Sequence, residues 1–310
     1  MSDGEALVIQ SIEQALSASA RAVQNNAQSM CGNIPLTIFH YTTSAGLRGI
    51  LASRRIWATH YRFLNDASEI DYGMFVLGSV VDRLKAENDD PVVQTFLGLL
   101  VANGNLMQRY FDCYIACFCS HDDLLNQWRH YAGNDGYALG FSTVDIARPT
   151  TWDCPERSFF LRKVNYNVQQ QNEILTELLE GAVSVLKTYE ESMDSATVII
   201  KICDILRFTL LNYICTFKHP AFEAEQEWRI VHLAIPDECD YILFRDGQFG
   251  LTPYIELELK NEVGDRLPLV RITHSPTSNA ENVRFALNSL VRAKGYDEVQ
   301  ITGSVLPVRV

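Results

Sequence analysis

The stretch from Val198 to Phe217 sets the first limit on what this chain can fold into. It is apolar on most sides but interrupted by Lys201, Asp204 and Arg207. A membrane span needs about 18 uninterrupted apolar residues. A helix that is apolar nearly all round and yet carries such interruptions belongs inside a protein core. Burying it takes a large surrounding layer. A chain of 310 residues with 47% apolar and 21% charged side chains can supply one.

Hydrophobic periodicity and turn residues divide the rest. Residues 5–30 predict a helix with Leu7, Ile9, Ile12, Leu16 and Val23 near one side, followed by the punctuation of Gly32 and Pro35. Strands are predicted over 36–41, 56–63, 112–119, 137–141, 227–234, 254–259, 269–273 and 299–302, with R-K-V-N-Y near 162–166 as a further one. Helices are predicted after Thr43, over 69–85, 91–111, 124–131, 170–190, 193–217 and 280–294. Strands that are both adjacent and separated by helices predict an α+β fold. Its expected form is a mixed central sheet flanked by helices, with a long helical insertion at about 170–217 before the E-x-E strand. No linker cuts the chain into clean halves, so residues 1–34 read as a helical lead-in and 35–310 as a single domain. The lead-in is suited to packing on the main domain or on a second copy of the chain, which would give a homo-oligomer.

The net charge of −12 weighs against non-specific binding to nucleic acid or to an anionic membrane. The acidic N-terminus has no secretory pattern. Eight cysteines without framework spacing read as reduced thiols, and the expected compartment is the cytoplasm. Cys113, Cys117 and Cys119 would share one face of one strand, which does not present three ligands tetrahedrally, so no metal is expected. No Gly-rich phosphate loop, nucleophile elbow or H-E-x-x-H motif is present.

The chemistry concentrates in F-K-H-P-A-F-E-A-E-Q-E-W-R-I-V, Phe217 to Val231. On a strand, Glu225, Glu227 and Arg229 would alternate onto one face. The plain explanation is a charge pair on a sheet surface. The functional one uses one glutamate to bind a ribose hydroxyl and steady a cationic, sugar-like transition state, and the other to orient or deprotonate an acceptor. Upstream, His40, Tyr41 and Thr42 end a strand just before a helix start, where free N–H groups favour anions. Arg62, Asn65, Asp66 and Glu69 could line a polar cleft, although Asn65 or Asp66 as a helix cap with an acid in the first turn suffices without it. Near Trp128, a residue type that more often anchors a core, Gln127, Arg129 and Tyr131 are the ligand candidates, with Gln127 and Tyr131 at i, i+4.

In order, F-H-Y-T-T-S-A-G-L-R-G-I-L, R-F-L-N-D-A-S-E, C-F-C-S, Q-W-R-H-Y-A, G-Y-A-L-G-F and the E-x-E segment resemble DUF2971, a bacterial family without an assigned function. The resemblance spans roughly residues 36–305. A strand ending in H-Y-T, a helix, a second strand and a late E-x-E strand also resemble the ADP-ribosyltransferase layout. That resemblance implies NAD as substrate, His40 on a ribose, Tyr131 or Tyr61 on nicotinamide, Glu227 on the nicotinamide ribose and Glu225 on the acceptor side. It implies ADP-ribose transfer to a macromolecule or NAD glycohydrolysis, and by analogy a role in bacterial defence or as a toxin. Two alternatives use the same residues: a non-catalytic nucleotide-binding sensor or interaction module, and a metal-dependent hydrolase or nuclease built on Asp66, Glu69, Glu225 and Glu227.

Overall fold

The computed structural model describes residues 3–31, 34–64, 68–101, 112–132, 135–146, 159–189, 194–234, 240–247, 250–259 and 266–307. Its helices of ten or more residues are α1 (Asp3–Cys31), α2 (Ser44–Ser53), α3 (Ser68–Ala86), α4 (Pro91–Val101), α5 (Val168–Tyr189), α6 (Ser195–Ile214) and α7 (Ala280–Ala293). The strands are β1 (Thr37–Thr42), β2 (Ile56–His60), β3 (Asp112–Cys119), β4 (Tyr137–Ser142) and β5 (Phe160–Lys163), then β6 (Glu227–Ala234), β7 (Leu243–Gly247), β8 (Gly250–Leu257), β9 (Leu269–His274) and β10 (Gln300–Gly303). The fold is α+β. The ten strands make one mixed sheet in the order β10-β9-β4-β1-β3-β2-β8-β7, with β6 against β3 and β5 against β6. Among the described strand pairs only β9 and β10, joined through α7, run parallel; an isolated parallel bridge joins Asn165 and Phe217.

Alternation along β3 explains the layers. Cys113 and Ile115 enter one core, with α1, α3, α4, α5 and α6 packed over it. Tyr114, Ala116 and Phe118 enter a second core, on the side of α2 and α7. Successive side chains of a strand point to opposite faces, so a strand covered on both faces reads as a continuous apolar run. The α6 helix is the buried element its composition requires, with Val198, Ile202, Leu206, Leu210 and Ile214 all buried. The lead-in helix α1 gives Ile12, Leu16 and Val23 to the same core, so it packs on its own chain.

Three segments depart from the sequence expectation. The strand predicted over 56–63 stops at His60, and Tyr61–Phe63 forms a 3-10 turn in which the Arg62 amide donates to His60 Nδ1 at 3.4 Å. The strand predicted over 254–259 begins earlier, at Gly250, and pairs with β7, which the exposed sequence L-F-R-D-G did not announce. Of the helix predicted over 91–111, Pro91–Val101 is helical and the remainder lies outside the described residues.

The cleft follows from strand pairing. One edge of β3 pairs along its whole length with β6. The other edge is shared: Tyr114 and Ile115 pair with β2, and Cys119 pairs with Phe39 of β1. Two strands cannot occupy one edge at the same register, so β1 and β2 diverge and leave Ala116–Phe118 facing a gap. Gly46 lets the start of α2 close down on the end of β1, because a Cβ there would fall on Thr42 Oγ1.

Packing between α3 and α6 supplies a stability test. A Cβ on Gly73 would lie 2.8 Å from Ile214 Cγ2 and 2.9 Å from the Ile214 carbonyl oxygen. Alanine is the better helix former by about 1 kcal/mol, but overpacking against backbone costs about 1–3 kcal/mol. Gly73→Ala is therefore expected to lower the melting temperature, and a rise would contradict this close helix contact.

Candidate functional site

The gap between β1 and β2 opens into a cleft of about 710 Å³. That is within the size range of small-molecule sites. Its floor is Ile115–Phe118 of β3. One wall comes from β1 and the start of α2, and the opposite wall from Trp57, Thr59 and Arg245. Gln127, His130 and Tyr131 close it from one side, and Lys218, Phe222, Glu225 and Glu227 from below.

Glu227 begins β6 and is 5% exposed. Its Oε1 accepts from Arg229 Nε at 2.9 Å and its Oε2 from Arg229 Nη2 at 2.9 Å. Lys218 Nζ donates to Oε2 at 3.2 Å. Burial alone would raise this carboxyl. The Arg229 guanidinium, then Lys218 and the Cys117 thiol, outweigh burial and hold it down at about 2. Glu227 is thus an anion whose acceptor positions are nearly all taken.

Glu225 differs. It ends the 3-10 turn Pro220–Glu225, and Gln226 follows with φ 48° and ψ 47°. That left-handed conformation is uncommon for a residue with a side chain. It breaks the alternation predicted for Glu225, Glu227 and Arg229 on one strand: Glu225 is not on the strand at all. The two glutamates meet through Lys218 instead, whose Nζ also donates to Glu225 Oε2 at 2.7 Å. Glu225 Oε1 has no partner among the described residues, and its side chain is 22% exposed in the cleft. The turn is docked by Asn126, which donates to the Ala224 carbonyl at 3.3 Å, and by Cys119, which donates to the Glu225 carbonyl at 3.2 Å.

His40 projects from β1 with its Nδ1 2.9 Å from the Cys117 carbonyl and its ring tilted on Phe118. A carbonyl only accepts, so Nδ1 carries the proton. Burial lowers the His40 pKa, against the smaller opposing effect of that hydrogen bond. The neutral ring therefore keeps an acceptor lone pair on Nε2. Tyr41 and Thr42 also line the cleft, but the Tyr41 hydroxyl is spent on the His121 carbonyl at 2.9 Å and the Leu124 amide at 3.1 Å.

Residues Trp128–Ala132 form a π-helical turn. Such a turn is frequent at functional sites. As their spacing implied, Gln127 and Tyr131 both reach the cleft, Tyr131 being 38% exposed. Trp128 turns the other way and packs edge-on against Tyr41 at 4.8 Å. Four other candidates do not join the site. Arg129 is exposed on the outer side of the turn and does not line the cleft. Arg62 is exposed and donates to Tyr61 Oη at 3.0 Å, and neither it nor Tyr61 lines the cleft. Arg229 lies behind Glu227, 1% exposed, as its counter-ion and not as a ligand contact. Asn65 and Asp66 lie outside the described residues.

Sequence reasoning missed Lys218, Trp57 and Arg245. Lys218 stands within the charged segment, but only the turn at Gln226 makes it the bridge. The thiols do not converge: Cys113 meets Cys215 at 3.3 Å, and burial pushes the Cys119 thiol up to about 11. Among the described residues no group of three or more His, Cys, Asp or Glu side chains is placed to hold a metal ion. No described helix is long and apolar enough to cross a membrane.

The ion pair gives an acid-limb prediction. A carboxyl depressed from 4.5 to about 2 stabilises the fold above its unfolded value and loses that contribution as pH falls through the folded one. Wild type is expected to lose stability between these pH values, by on the order of a few kcal/mol. Glu227→Gln should melt lower at neutral pH and show a flatter acid limb. Parallel melting curves against pH would rule out Glu227 as the titrating group.

No curated protein and no solved structure matches the chain. A family match covers residues 127–230, the part that holds Gln127, Tyr131, Lys218, Glu225 and the Glu227–Arg229 pair. His40, Trp57 and Arg245 stand outside it. Over that segment, about a third of its length, the chain matches the DUF2971 family model, described as a protein of unknown function.

Proposed function

We propose that the cleft takes an NAD-type dinucleotide and breaks its N-glycosidic bond, passing ADP-ribose to a macromolecular acceptor or to water. The observation that carries this is the free Oε1 of Glu225, held beside the anionic Glu227 in a cleft that also presents His40 Nε2 and the Tyr131 ring. In the reaction the C1′–N bond breaks, its electron pair leaves with neutral nicotinamide, and the ribose ring becomes oxocarbenium-like. A carboxylate close to that carbon stabilises the charge through electrostatics.

Roles are divided by what each group has left to give. Glu225 faces the ribose and takes the proton from the incoming nucleophile. Glu227 is the positioning residue that fixes Lys218 and, through it, Glu225. His40 accepts from a ribose hydroxyl, and Tyr131 stacks on the departing ring. A defence or toxin role in bacteria suits such chemistry. A second function is favoured by one observation, the near-complete engagement of Glu227: a module that binds the same nucleotide without turning it over. The metal-hydrolase alternative is disfavoured because Lys218 already occupies the space between Glu225 and Glu227.

Nicotinamide release from NAD by wild type, Glu225→Gln and Glu227→Gln is the test, with cell lysate as acceptor and a chelator control. Glu225→Gln is expected to lower kcat by about 10²–10⁴-fold and to lower the melting temperature less than Glu227→Gln, because only the partly exposed side of the Lys218 ion pair is changed. Glu227→Gln should lower both. Release should not respond to chelator. Absence of release by wild type would sink the enzyme, and saturable NAD binding without release would establish the binding module.

A further inference from the structure

The wall of the cleft opposite β1 carries a cation that has no anion among the described residues. Arg245 reaches from β7 toward β2, where its Nη2 donates to Thr59 Oγ1 at 3.0 Å and its guanidinium carbon lies 5.5 Å from the Trp57 ring centroid. Its Nε–H is shut off from solvent with no acceptor. Among the described residues no carboxylate pairs with it. Arg55, on the same wall, is already matched by Glu258 at 2.6 Å and Glu256 at 3.5 Å. A guanidinium stays charged throughout the physiological range, and its forked donors fit phosphate or carboxylate oxygens best. The neighbouring Trp57 is 42% exposed and is braced by Tyr254 at 4.5 Å and by an indole N–H to Glu256 at 3.2 Å. A rigid, exposed indole is a platform for a flat ring.

We propose that Arg245, Thr59 and Trp57 form the phosphate subsite of a nucleotide ligand. Arg245 holds phosphoryl oxygens. Thr59 spends its lone pair on Arg245 and turns its O–H toward the phosphate. Trp57 packs on the base. The assignment rests on the nucleotide reading of the cleft given above and adds which end of the ligand lies where: the phosphates at Arg245, the scissile sugar at Glu225.

Isothermal titration of wild type, Arg245→Gln and Thr59→Val with ADP-ribose, adenosine and inorganic pyrophosphate tests it. Thermal melts establish that each variant is folded. ADP-ribose is expected to weaken about ten- to a hundredfold in Arg245→Gln and about three- to tenfold in Thr59→Val, as loss of a charge-assisted and of an ordinary hydrogen bond implies. Adenosine should be unaffected, and pyrophosphate binding should be lost in Arg245→Gln. Equal ADP-ribose affinity in wild type and folded Arg245→Gln overturns the subsite and leaves the glycosyl-transfer reaction standing if nicotinamide is released. Loss of binding in Arg245→Gln without any NAD turnover by wild type leaves the subsite standing and removes the reaction. Failure of wild type to bind ADP-ribose or pyrophosphate overturns the subsite outright.

Discussion

A carboxylate and a guanidinium this deep in a protein can exist only together. Glu227 and Arg229 are 5% and 1% exposed. Either alone would be a buried, uncompensated charge, costing about 3–5 kcal/mol. Their partners extend the pair into a frame. Arg229 Nη1 donates to the Cys215 carbonyl at 2.7 Å, at the end of α6, and the Glu227 amide donates to Tyr166 Oη at 3.1 Å. The intervening segment is held by the Asn165 amide to the Thr216 carbonyl at 2.8 Å, and by Gln171, which donates to the Asn165 and Lys218 carbonyls at 2.7 and 3.1 Å. The helical layer, β6 and the floor of the cleft therefore share one buried polar network. Lys218 and Glu227 are the members that reach the cleft.

The network also explains why two glutamates two residues apart do different work. Gln226 stays in the left-handed region, which costs a residue with a Cβ about 1–2 kcal/mol, because both sides of it are tied. The Ser120 amide donates to its carbonyl at 3.1 Å, Lys218 grips the glutamate before it, and Arg229 grips the one after it. The turn takes Glu225 off the strand and leaves one of its oxygens toward the cleft. Glu227 is left in the sheet, saturated. Backbone strain of this kind clusters at functional sites when surrounding structure over-determines it.

Much of the fold was legible, since it rests on local pattern. Thr43 caps α2 by accepting from the Gly46 amide at 3.3 Å, β3 spans Asp112–Cys119, and α6 is buried, as Thr43, the D-C-Y-I-A-C-F-C run and the apolar 198–217 stretch each implied. His40, Gln127, Tyr131, Glu225 and Glu227 were picked out by chemistry and do line one cleft. What was not legible is non-local. Arg62 and Arg129 are as polar as the residues that line the cleft, and only the 3-10 and π turns decide that they face away. Asp122 and Asp123 stand just before the helix predicted over 124–131, where either residue type would suit a cap. Asp122 instead accepts from Thr273 on β9, and Asp123 from the Trp128 indole and from the Val305 amide beyond β10. Arg245 sits in an exposed five-residue strand whose sequence carries no alternation, so nothing short of the β7–β8 pairing brings it to the cleft.

The divided edge of β3 turns this frame into a polarised site. Were β1 or β2 to pair along all of β3, Ala116–Phe118 would be covered and His40 would have no reason to reach the Cys117 carbonyl. Because they diverge, the floor is apolar backbone and side chain, with the second carboxylate oxygen of the Lys218-bound Glu225 at one end and, at the other, a guanidinium beside Trp57 that no carboxylate among the described residues pairs with. A ligand that is apolar throughout would leave the second Glu225 oxygen and the Arg245 guanidinium without a partner. One that is hydroxylated or cationic at one end, aromatic in part and anionic at the other satisfies all three regions, and it is this ordering of charge along the cleft, more than any single residue, that favours a nucleotide.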